Sequence, residues 1–300
     1  MRVAPADDFE QLRASLFAVA YRMLGSAADA EDVVQDAGLR WLARPPEAGT
    51  AVESPRAYLT TVVTRLCIDH LRSARVRREA YKGPWLPEPI EEEGPDPAEQ
   101  AALADSLSMA FLVLLEELGP VERAAFLLHD VFDYPYDEVG RILERSEPAC
   151  RQLVARARRR VSERRHRFDA DRDHGRELTR RFATACLSGD LQGLIDLLAD
   201  DVVVLTDGGG KVRAALRPVV GAHRASRFLL SVTRRIAPGT EGREAVLNGQ
   251  PGMVFTLDGT VTIALALEVL DRRIVGVQVV TNPDKLHALN DRSPGDPGDA

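Results

Sequence analysis

Cysteine is scarce in this 300-residue chain, and the three present, Cys67, Cys150 and Cys186, are scattered and odd in number. That excludes a disulfide framework and offers no metal-ligand spacing, so no metal site is expected. Each falls among apolar helix positions, as reduced core thiols of a cytosolic protein do. Long hydrophobic runs are missing too. No stretch reaches membrane-spanning length and the N-terminus carries no signal-peptide pattern, so the expectation is a cytoplasmic protein with no membrane partner. Excess positive charge is also absent: the formal net charge is −7, which argues against a chain coated in nucleic acid. Lysine is nearly missing, three against 36 arginines. What basic charge there is comes in two arginine runs, Arg65–Arg78 with five Arg against one Asp and Arg151–Arg167 with eight against one Glu. Two basic runs in an acidic chain imply two local docking surfaces for phosphate. The length suggests two or three domains, and at 45% hydrophobic content each can bury a core.

The first run ends a long helix. In SPRAYLTTVVTRLCIDHLRSARVRR, Ser54 can cap and Pro55 sits at the first helical position. Leu59, Val62, Val63, Leu66 and Leu71 mark the buried stripe. The other face carries Thr60, Thr61, Thr64, Arg65, His70 and Arg72 and exits into Arg75, Arg77 and Arg78. A half-buried helix with a hydroxyl-rich face and a basic exit suits a polyanion, although a solvated surface helix looks similar. Two helices precede it. The first runs from Phe9 to Met23 and is closed by Gly25. The second is capped by Ser26, with Asp29 three residues on. Its inner face is Val33, Val34, Ala37, Trp41 and Leu42. Its outer face, Asp29, Glu31, Asp32, Gln35 and Asp36, holds more acid than capping and the helix dipole call for, and a basic protein partner is the functional alternative.

Residues 81–97, YKGPWLPEPIEEEGPDP, hold six prolines or glycines before Asp96–Pro97 and no helical period, so an extended acidic linker is expected. Glu88, Glu91, Glu92, Glu93, Asp96 and Glu99 make it self-repelling or a mimic of nucleic acid. Trp85-Leu86-Pro87-Glu88-Pro89 is a stiff apolar anchor that loses little entropy on docking, and is expected to pack against another part of the chain. Asp96, Pro97 and Glu99 then start a helix whose stripe is Leu103, Leu107, Phe111, Leu114 and Leu118. Val121–Phe132 and Tyr136–Glu144 follow, and Ser146 caps a fourth helix through CRQLVARARRRV. The last two helices and their tight turn have a helix-turn-helix pattern. Glu147, Arg151, Gln152, Arg156 and Arg159 face outward: the early ones suit base edges and the later Arg suit phosphates.

After about residue 170 the pattern changes. Two helices, around Leu178–Cys186 and Leu191–Leu198, precede strand signals at 202–205, 211–216, 253–257, 261–270 and 274–280, with a helix AHRASRFLLSVTRR between them. This order predicts an α+β domain with an antiparallel curved sheet. Asp207-Gly208-Gly209-Gly210-Lys211 joins two of the strand runs. Its glycines allow positive φ and close backbone approach, and it lacks the spacing of a phosphate-binding P-loop. Asn282-Pro283-Asp284-Lys285-Leu286 follows the last strand. Residues 287–300, rich in Asp, Gly and Pro, are expected to be disordered, with 291–300 as the tail beyond every domain.

Several of these stretches together resemble one family. The acidic DAEDVVQDA helix, the Pro-Arg-Ala-Tyr-Leu helix and IDHLRSARVRR resemble domain 2 of extracytoplasmic-function RNA polymerase sigma factors. The helix-turn-helix region resembles their domain 4. The C-terminal order resembles the SnoaL-like, NTF2-like cone with a pocket. The motifs WLPEP, DGGGK and NPDKL match the subgroup in which that domain is fused to the sigma core. The resemblance implies two all-α sigma domains, 1–80 and 98–168, a linker 81–97, and a regulatory domain 170–290. It implies promoter-directed transcription initiation with core RNA polymerase, through the β′ clamp helices and the β flap, and with promoter DNA. Carried over, Asp29, Glu31, Asp32, Gln35 and Asp36 face polymerase. Arg65, His70, Arg72, Arg75, Arg77 and Arg78 face the −10 element, and Glu147, Arg151, Gln152, Arg156 and Arg159 face the −35 element. The three motifs are expected to regulate in cis, WLPEP docking beside DGGGK and NPDKL and fixing how the two sigma domains are spaced, with no separate anti-sigma protein. Gly38 departs from the family, which usually has a bulkier apolar residue there; glycine inside a helix costs about 1 kcal/mol against alanine.

Two other readings fit parts of the chain. One is a polymerase-independent helix-turn-helix regulator with a ligand-binding domain, which leaves the acidic helix unexplained. The other is a SnoaL-like enzyme, for which His223, Asp201 and Asp258 are acid–base candidates. None sits in a pattern matching such enzymes and fold alone does not give function, so no catalytic residue and no cofactor is assigned. A small ligand in the cone pocket stays open.

Overall fold

The second and third helices start at the residues that the sequence marks for them, while the first begins at Pro5, four residues before Phe9. In a computed structural model of the chain, which describes residues 5–44, 54–79, 81–91, 107–162 and 172–290 and, within these, not the side chains of 5–6, 74–79, 162 and 172–173, α1 spans Pro5–Leu24 and α2 Ala27–Leu42. Ser26 Oγ accepts the Asp29 amide at 3.1 Å, the capping bond expected there. Helix α3, Pro55–Glu79, begins with Ser54 Oγ accepting the Ala57 amide at 3.2 Å. The next described helices are α4 (Met109–Leu115), α5 (Pro120–Phe126), α6 (Tyr136–Leu143), α7 (Glu147–Ser162), α8 (Arg172–Ser188) and α9 (Leu191–Leu197). A five-residue π turn, Leu127–Val131, prolongs α5. The helix start expected at Asp96–Glu99, residues 92–97 of the acidic linker, the arginines beyond Ser162 and the tail 291–300 lie outside the described residues.

The chain divides into two compact units, Met1–Glu79 with Leu114–Arg165, and Ala80–Val113 with His166–Ala300. In the first, α1–α3 bury Leu16, Val19, Val34, Leu59, Val63, Cys67 and Leu71. A second core joins Ala125, Leu128, Tyr134, Val139, Ile142, Cys150 and Val154 around the helix-turn-helix pair α6–α7. The turn between these helices is tight: Glu144 takes a left-handed φ of 54°, and a Cβ on Gly140 would stand 2.8 Å from the Arg145 carbonyl. Gly38 likewise has a physical reason. The Phe9 ring lies over it, and a Cβ there would meet Phe9 Cζ at 2.6 Å.

The second unit is built on a six-stranded sheet of order β2-β1-β6-β5-β4-β3. The strands are β1 (Leu198–Asp207), β2 (Val219–Val220), β3 (Glu241–Leu247), β4 (Gln250–Leu257), β5 (Thr260–Leu270) and β6 (Arg273–Val280), with helix α10 (Ala222–Thr233) after β2. The β1–β6 pair is parallel, so the sheet is mixed rather than wholly antiparallel. Residues 211–216 form no strand. Lys211 and Val212 turn back on the Gly208 carbonyl, and Ala215 is tied to the Thr206 hydroxyl at 2.8 Å. Strand β3 has no counterpart in the strand signals. Irregularities in β1, β4 and β5 curve the sheet. After β6, Pro283–Lys285 makes a 3-10 turn, and His287–Asn290 is a short helix, α11, rather than part of a disordered tail.

Both faces of this sheet are buried, which explains why VTIALALEVL reads as a continuous apolar run. One face carries Val202, Val204, Leu265, Leu267, Val269, Ile274, Val277 and Val279 against α8, α9 and α10. The other face carries Val254, Val261, Ala264, Ala266 and Val280, covered by Leu86 of the linker, Met109, Leu286 and Leu289.

Candidate nucleic-acid and protein faces and a buried motif node

The acidic residues of α2 lie along its outer face. Glu31, Asp32, Gln35 and Asp36 are exposed, and Asp29 is half-buried. Two of them are engaged within the unit: Asp29 lies 3.3 Å from His70 Nε2, and Glu31 2.8 Å from Arg13. The face runs into two leucines at helical spacing, Leu39 and Leu42, which are 59% and 55% exposed. The inward assignment of Leu42 is therefore wrong: the helix ends at that residue, beyond its core contact. An acidic face with apolar residues at one end is suited to a protein surface that is basic and partly apolar.

On α3 the hydroxyl face is turned toward the helix-turn-helix pair rather than left open. Thr60 Oγ1 and Tyr134 Oη share a buried hydrogen bond at 3.1 Å. Arg65 Nε donates to the Ile142 carbonyl at 3.4 Å, and its Nη2 pairs with Glu144 at 2.9 Å, at the tight turn. His70 is held by Asp29, and Arg72 is exposed beside Asp69. Arg75, Arg77 and Arg78 continue the helix, and their side chains lie outside the described residues.

Arg123 of α5 also joins these elements, and nothing in its sequence context marks it. It is 3% exposed, donates to the Met23 carbonyl at the end of α1 at 2.6 Å, and pairs with Glu116 at 2.9 Å. Burial lowers its pKa to about 9, so the guanidinium stays charged at neutral pH. A cation at a helix C-terminus is favoured by the exposed carbonyls there.

On α7 the arginines divide into two sets. Arg158 grips Asp130 with two bonds of 2.7 and 2.8 Å, and Arg160 reaches Glu122 at 2.7 Å with Arg156 3.8 Å from the same carboxylate. These hold α7 to α5 and to the π turn that prolongs it. Arg151 pairs with Glu147 at 2.5 Å and stacks 4.6 Å from the Tyr136 ring centre. Gln152 and Arg159 are exposed. Glu147, Arg151 and Gln152 thus stand at the start of the second helix, the end that reaches base edges in helix-turn-helix proteins.

In the second unit the three pentapeptide motifs meet at the Asp207 carboxylate, which is 0% exposed. Oδ2 accepts from the Leu86 amide at 2.9 Å and from Lys285 Nζ at 2.7 Å, and Oδ1 accepts from the Gly209 amide at 2.9 Å and from the Tyr81 hydroxyl. The Asp207 carbonyl accepts the Thr281 and Asn282 amides at 2.8 and 3.0 Å. Lys285 also donates to the Leu86 carbonyl and lies 3.9 Å from the Trp85 ring centre. Asn282 donates to Tyr81 at 3.1 Å. A Cβ on Gly209 would stand 2.4 Å from the Asn282 amide group, and one on Gly208 2.2 Å from the Val212 carbonyl, so these glycines allow the close approach. Lys211 pairs with Asp284 at 2.6 Å on the surface. Burial, then the bond to Asp207, push the Tyr81 phenol far above its ordinary pKa. A buried carboxylate with one ammonium and three further donors is satisfied; removing any partner exposes a large desolvation cost.

The linker continues along the sheet. Leu86, Pro87, Glu88 and Pro89 are buried, Ile90 and Asn248 exchange two bonds of 2.9 and 3.0 Å, and Glu91 bridges to Leu247 at the β3 edge. Arg243 clasps the Glu91 carboxylate with two bonds. Tyr81, Glu91, Arg243 and Asn248 are thus part of the docking surface although the motifs do not include them.

His223, Asp201 and Asp258 are all exposed, and apolar side chains pack between the sheet and α8–α10. A cleft of about 350 Å³ opens elsewhere, lined by Glu91, Arg176, Thr179, Glu244, Pro251 and Gly252 among others.

Residues 9–77 match the sigma-70 region 2 family model, and residues 108–161 the sigma-70 region 4 model. The ECF RNA polymerase sigma factor SigJ of Mycobacterium tuberculosis strain H37Rv is 40% identical over 291 residues, covering 93% of this chain and 92% of the relative. A probable ECF RNA polymerase sigma factor of the same species, SigI, is 34% identical over 279 residues, with 92% of this chain and 93% of the relative covered. The crystal structure of the M. tuberculosis SigJ protein matches with a TM-score of 0.74 and 37% identity, over 94% of this chain and 98% of that one.

Proposed function

This chain belongs to the extracytoplasmic-function RNA polymerase sigma factors, and on that premise we propose that its fused NTF2-like domain controls promoter engagement in cis by clamping the linker between the sigma domains. As a member of the family it binds core RNA polymerase and promoter DNA and directs transcription initiation. The sigma core performs no covalent chemistry of its own in this reading. The acidic face of α2, with Leu39 and Leu42 at its end, takes the β′ clamp helices. The basic end of α3 takes the −10 element, and Glu147, Arg151 and Gln152 take the −35 element, with the β flap beside them.

The observation that carries the control proposal is the Asp207 carboxylate, which holds Tyr81 and Leu86 of the linker and Lys285 of the C-terminal segment at once. A free linker of this length leaves its two ends free to vary in spacing; a linker pinned at residues 81–91 restricts them. Whatever favours or disrupts the pinned state then shifts the population able to engage a promoter. No separate anti-sigma protein is needed.

A second observation supports a closed resting state. Arg65 and Glu144, from the two promoter-reading modules, touch at 2.9 Å. Elements centred at −10 and −35 lie about 25 base pairs apart, on the order of 80 Å of duplex. The contact cannot persist when both modules read DNA, so the first unit opens on the promoter.

The test is run-off transcription with purified core polymerase, comparing the full chain with chains ending at residue 281 and at about residue 175 and with Asp207→Ala. Altered promoter-dependent output in all three, with core binding retained, supports control in cis. Output identical to the full chain overturns it.

A further inference from the structure

From Gly208 to Thr240 the chain carries seven Lys or Arg and no Asp or Glu, within a protein of net charge −7. Beyond Lys211, which closes the DGGGK motif and pairs with Asp284, no sequence motif draws on this stretch, and its arginines have no part in the linker node. Helix α10 organises it. Its buried side is Ala222, Ala225, Ser226, Leu229 and Leu230. His223, Arg224, Arg227, Ser231 and the capping residue Arg234 are exposed with Arg235, and at 3.6 residues per turn they share an arc of about 120°. The arc is about 18 Å long at the α-helical rise. Arg213 and Arg217, in the segment just before β2, are exposed as well. Among the described residues, none of these arginines makes an ion pair with a carboxylate, in contrast to the arginines of α7.

We infer that this face of α10 is a further phosphate-contacting surface, by which the NTF2-like domain itself touches promoter duplex DNA. Four arginines and a serine with no acid among them match the side chains that bind phosphate oxygens without reading sequence. A membrane surface is disfavoured because the apolar side of α10 is committed to the core and the exposed apolar residues of the stretch, Val212, Leu216, Val220 and Val232, lie outside the basic arc. A protein partner would call for apolar or aromatic residues at the centre of the patch, and the arc has none. Duplex DNA is also the polyanion to which the sigma modules already carry this domain, so even weak contacts operate at high effective concentration. The inference rests on the sigma reading and adds a contact to it.

The experiment measures affinity of reconstituted holoenzyme for a fluorescent promoter duplex between 50 and 200 mM KCl. The variant is R224Q/R227Q/R234Q/R235Q, with R224Q/R227Q as a milder form should the first fail to fold. Each neutralised phosphate contributes about 0.9 to the slope of log affinity against log salt. The expected result is a slope smaller by about 2–3, with roughly tenfold weaker binding at 100 mM; the pair of substitutions gives about half the slope change, and four Arg→Lys changes retain it. A variant whose slope and affinity equal those of wild type overturns the inference. So does an unchanged DNA slope with weaker capture of core polymerase, or with lost binding to phosphatidylglycerol–phosphatidylcholine vesicles. Failure of the wild-type holoenzyme to bind the promoter at all would undo the sigma reading itself, and is a distinct outcome.

Discussion

Lys285 Nζ lies 2.7 Å from the Asp207 carboxylate, both side chains being buried, and carries the linker's Leu86 carbonyl and Trp85 ring on its other sides. Replacing one partner leaves the other charge in a dry site, at a cost of about 3–5 kcal/mol for a fully buried pair. Lys285→Met keeps the bulk and removes the charge. Because Asp207 retains Tyr81, Leu86 and Gly209 as donors, the expected loss is at the low end, about 3 kcal/mol of second-unit stability by chemical denaturation. The linker should detach with it. A lysine-specific endoproteinase then has Lys82 and Lys211 as its two targets, and cleavage after Lys82 should quicken while cleavage after Lys211 changes less. Equal rates at Lys82 in both proteins would mean that this pair does not hold the linker.

Gly38 packs under Phe9, and the pair makes a test of the first unit's core. A methyl group at position 38 meets the Phe9 ring at 2.6 Å, well inside normal contact. Gly38→Leu should destabilise by about 1–3 kcal/mol despite the better helix propensity of leucine, because overpacking outweighs the roughly 1 kcal/mol that glycine costs a helix. The double variant Phe9→Ala with Gly38→Leu should recover part of the loss in a thermal melt. Additive losses would show that the two sites do not share this space.

How much of this was readable in the sequence depends on whether the relevant physics is local. Caps were legible because they depend on one side chain and the next three residues: Ser26 and Ser54 do what their positions imply. The motif residues were legible as special, since Trp and Leu between prolines or three glycines in a row have few local reasons to exist. That WLPEP docks beside DGGGK and NPDKL was expected from the resemblance and is what the structure has, but the Asp207 carboxylate as the meeting point is a long-range fact that no window could contain. Strand β3 was missed although Val246-Leu247-Asn248-Gly249-Gln250 carries a hairpin signal; Asn248 and Gly249 take φ of 52° and 73°, the two left-handed positions such a turn needs. The strand's polar start, Glu241 to Glu244, concealed it. Residues 211–216 erred the other way: alternating Val212, Ala214 and Leu216 looked like a strand, yet Val212 and Leu216 are 42% and 69% exposed because β2 and β6 already flank β1. Arg123 was invisible, since a buried arginine is defined by the Met23 carbonyl 100 positions away.

That arginine gives a prediction with two arms. Glu116→Ala leaves the Arg123 guanidinium, 3% exposed, without its counter-ion, and should cost about 3 kcal/mol or more. Replacing the pair together, Arg123→Met with Glu116→Leu, should cost less than the single change, because apolar groups of similar size often substitute for a buried ion pair with little loss. The Met23 carbonyl keeps the double variant from being neutral, since it loses a bond of 2.6 Å. Urea denaturation of the three proteins decides it: a double variant no better than Glu116→Ala would mean that the charge is not the dominant cost.

The closed contact between the two sigma modules predicts opposite signs in two measurements. Arg65 and Glu144 are 49% and 75% exposed, so their bridge contributes at most about 1 kcal/mol and its loss alone should be hard to detect. The Thr60–Tyr134 bond is buried, and Tyr134→Phe leaves the Thr60 hydroxyl, 2% exposed, without that partner at a cost of about 1–2 kcal/mol. The free chain should therefore melt earlier. If the closed resting state proposed above holds and core polymerase selects the opened form, its apparent affinity is reduced by the fraction of chains that are open. Destabilising the closed form by 1–2 kcal/mol should thus tighten holoenzyme assembly by about 5- to 30-fold. Thr60→Val combined with Tyr134→Phe removes both polar partners and should return the melt most of the way to wild type. Thermal scans beside a titration of labelled core polymerase measure both quantities on the same proteins. A Tyr134→Phe chain that is less stable and also binds polymerase more weakly would show that the contact belongs to the active form, and the closed resting state would have to be given up.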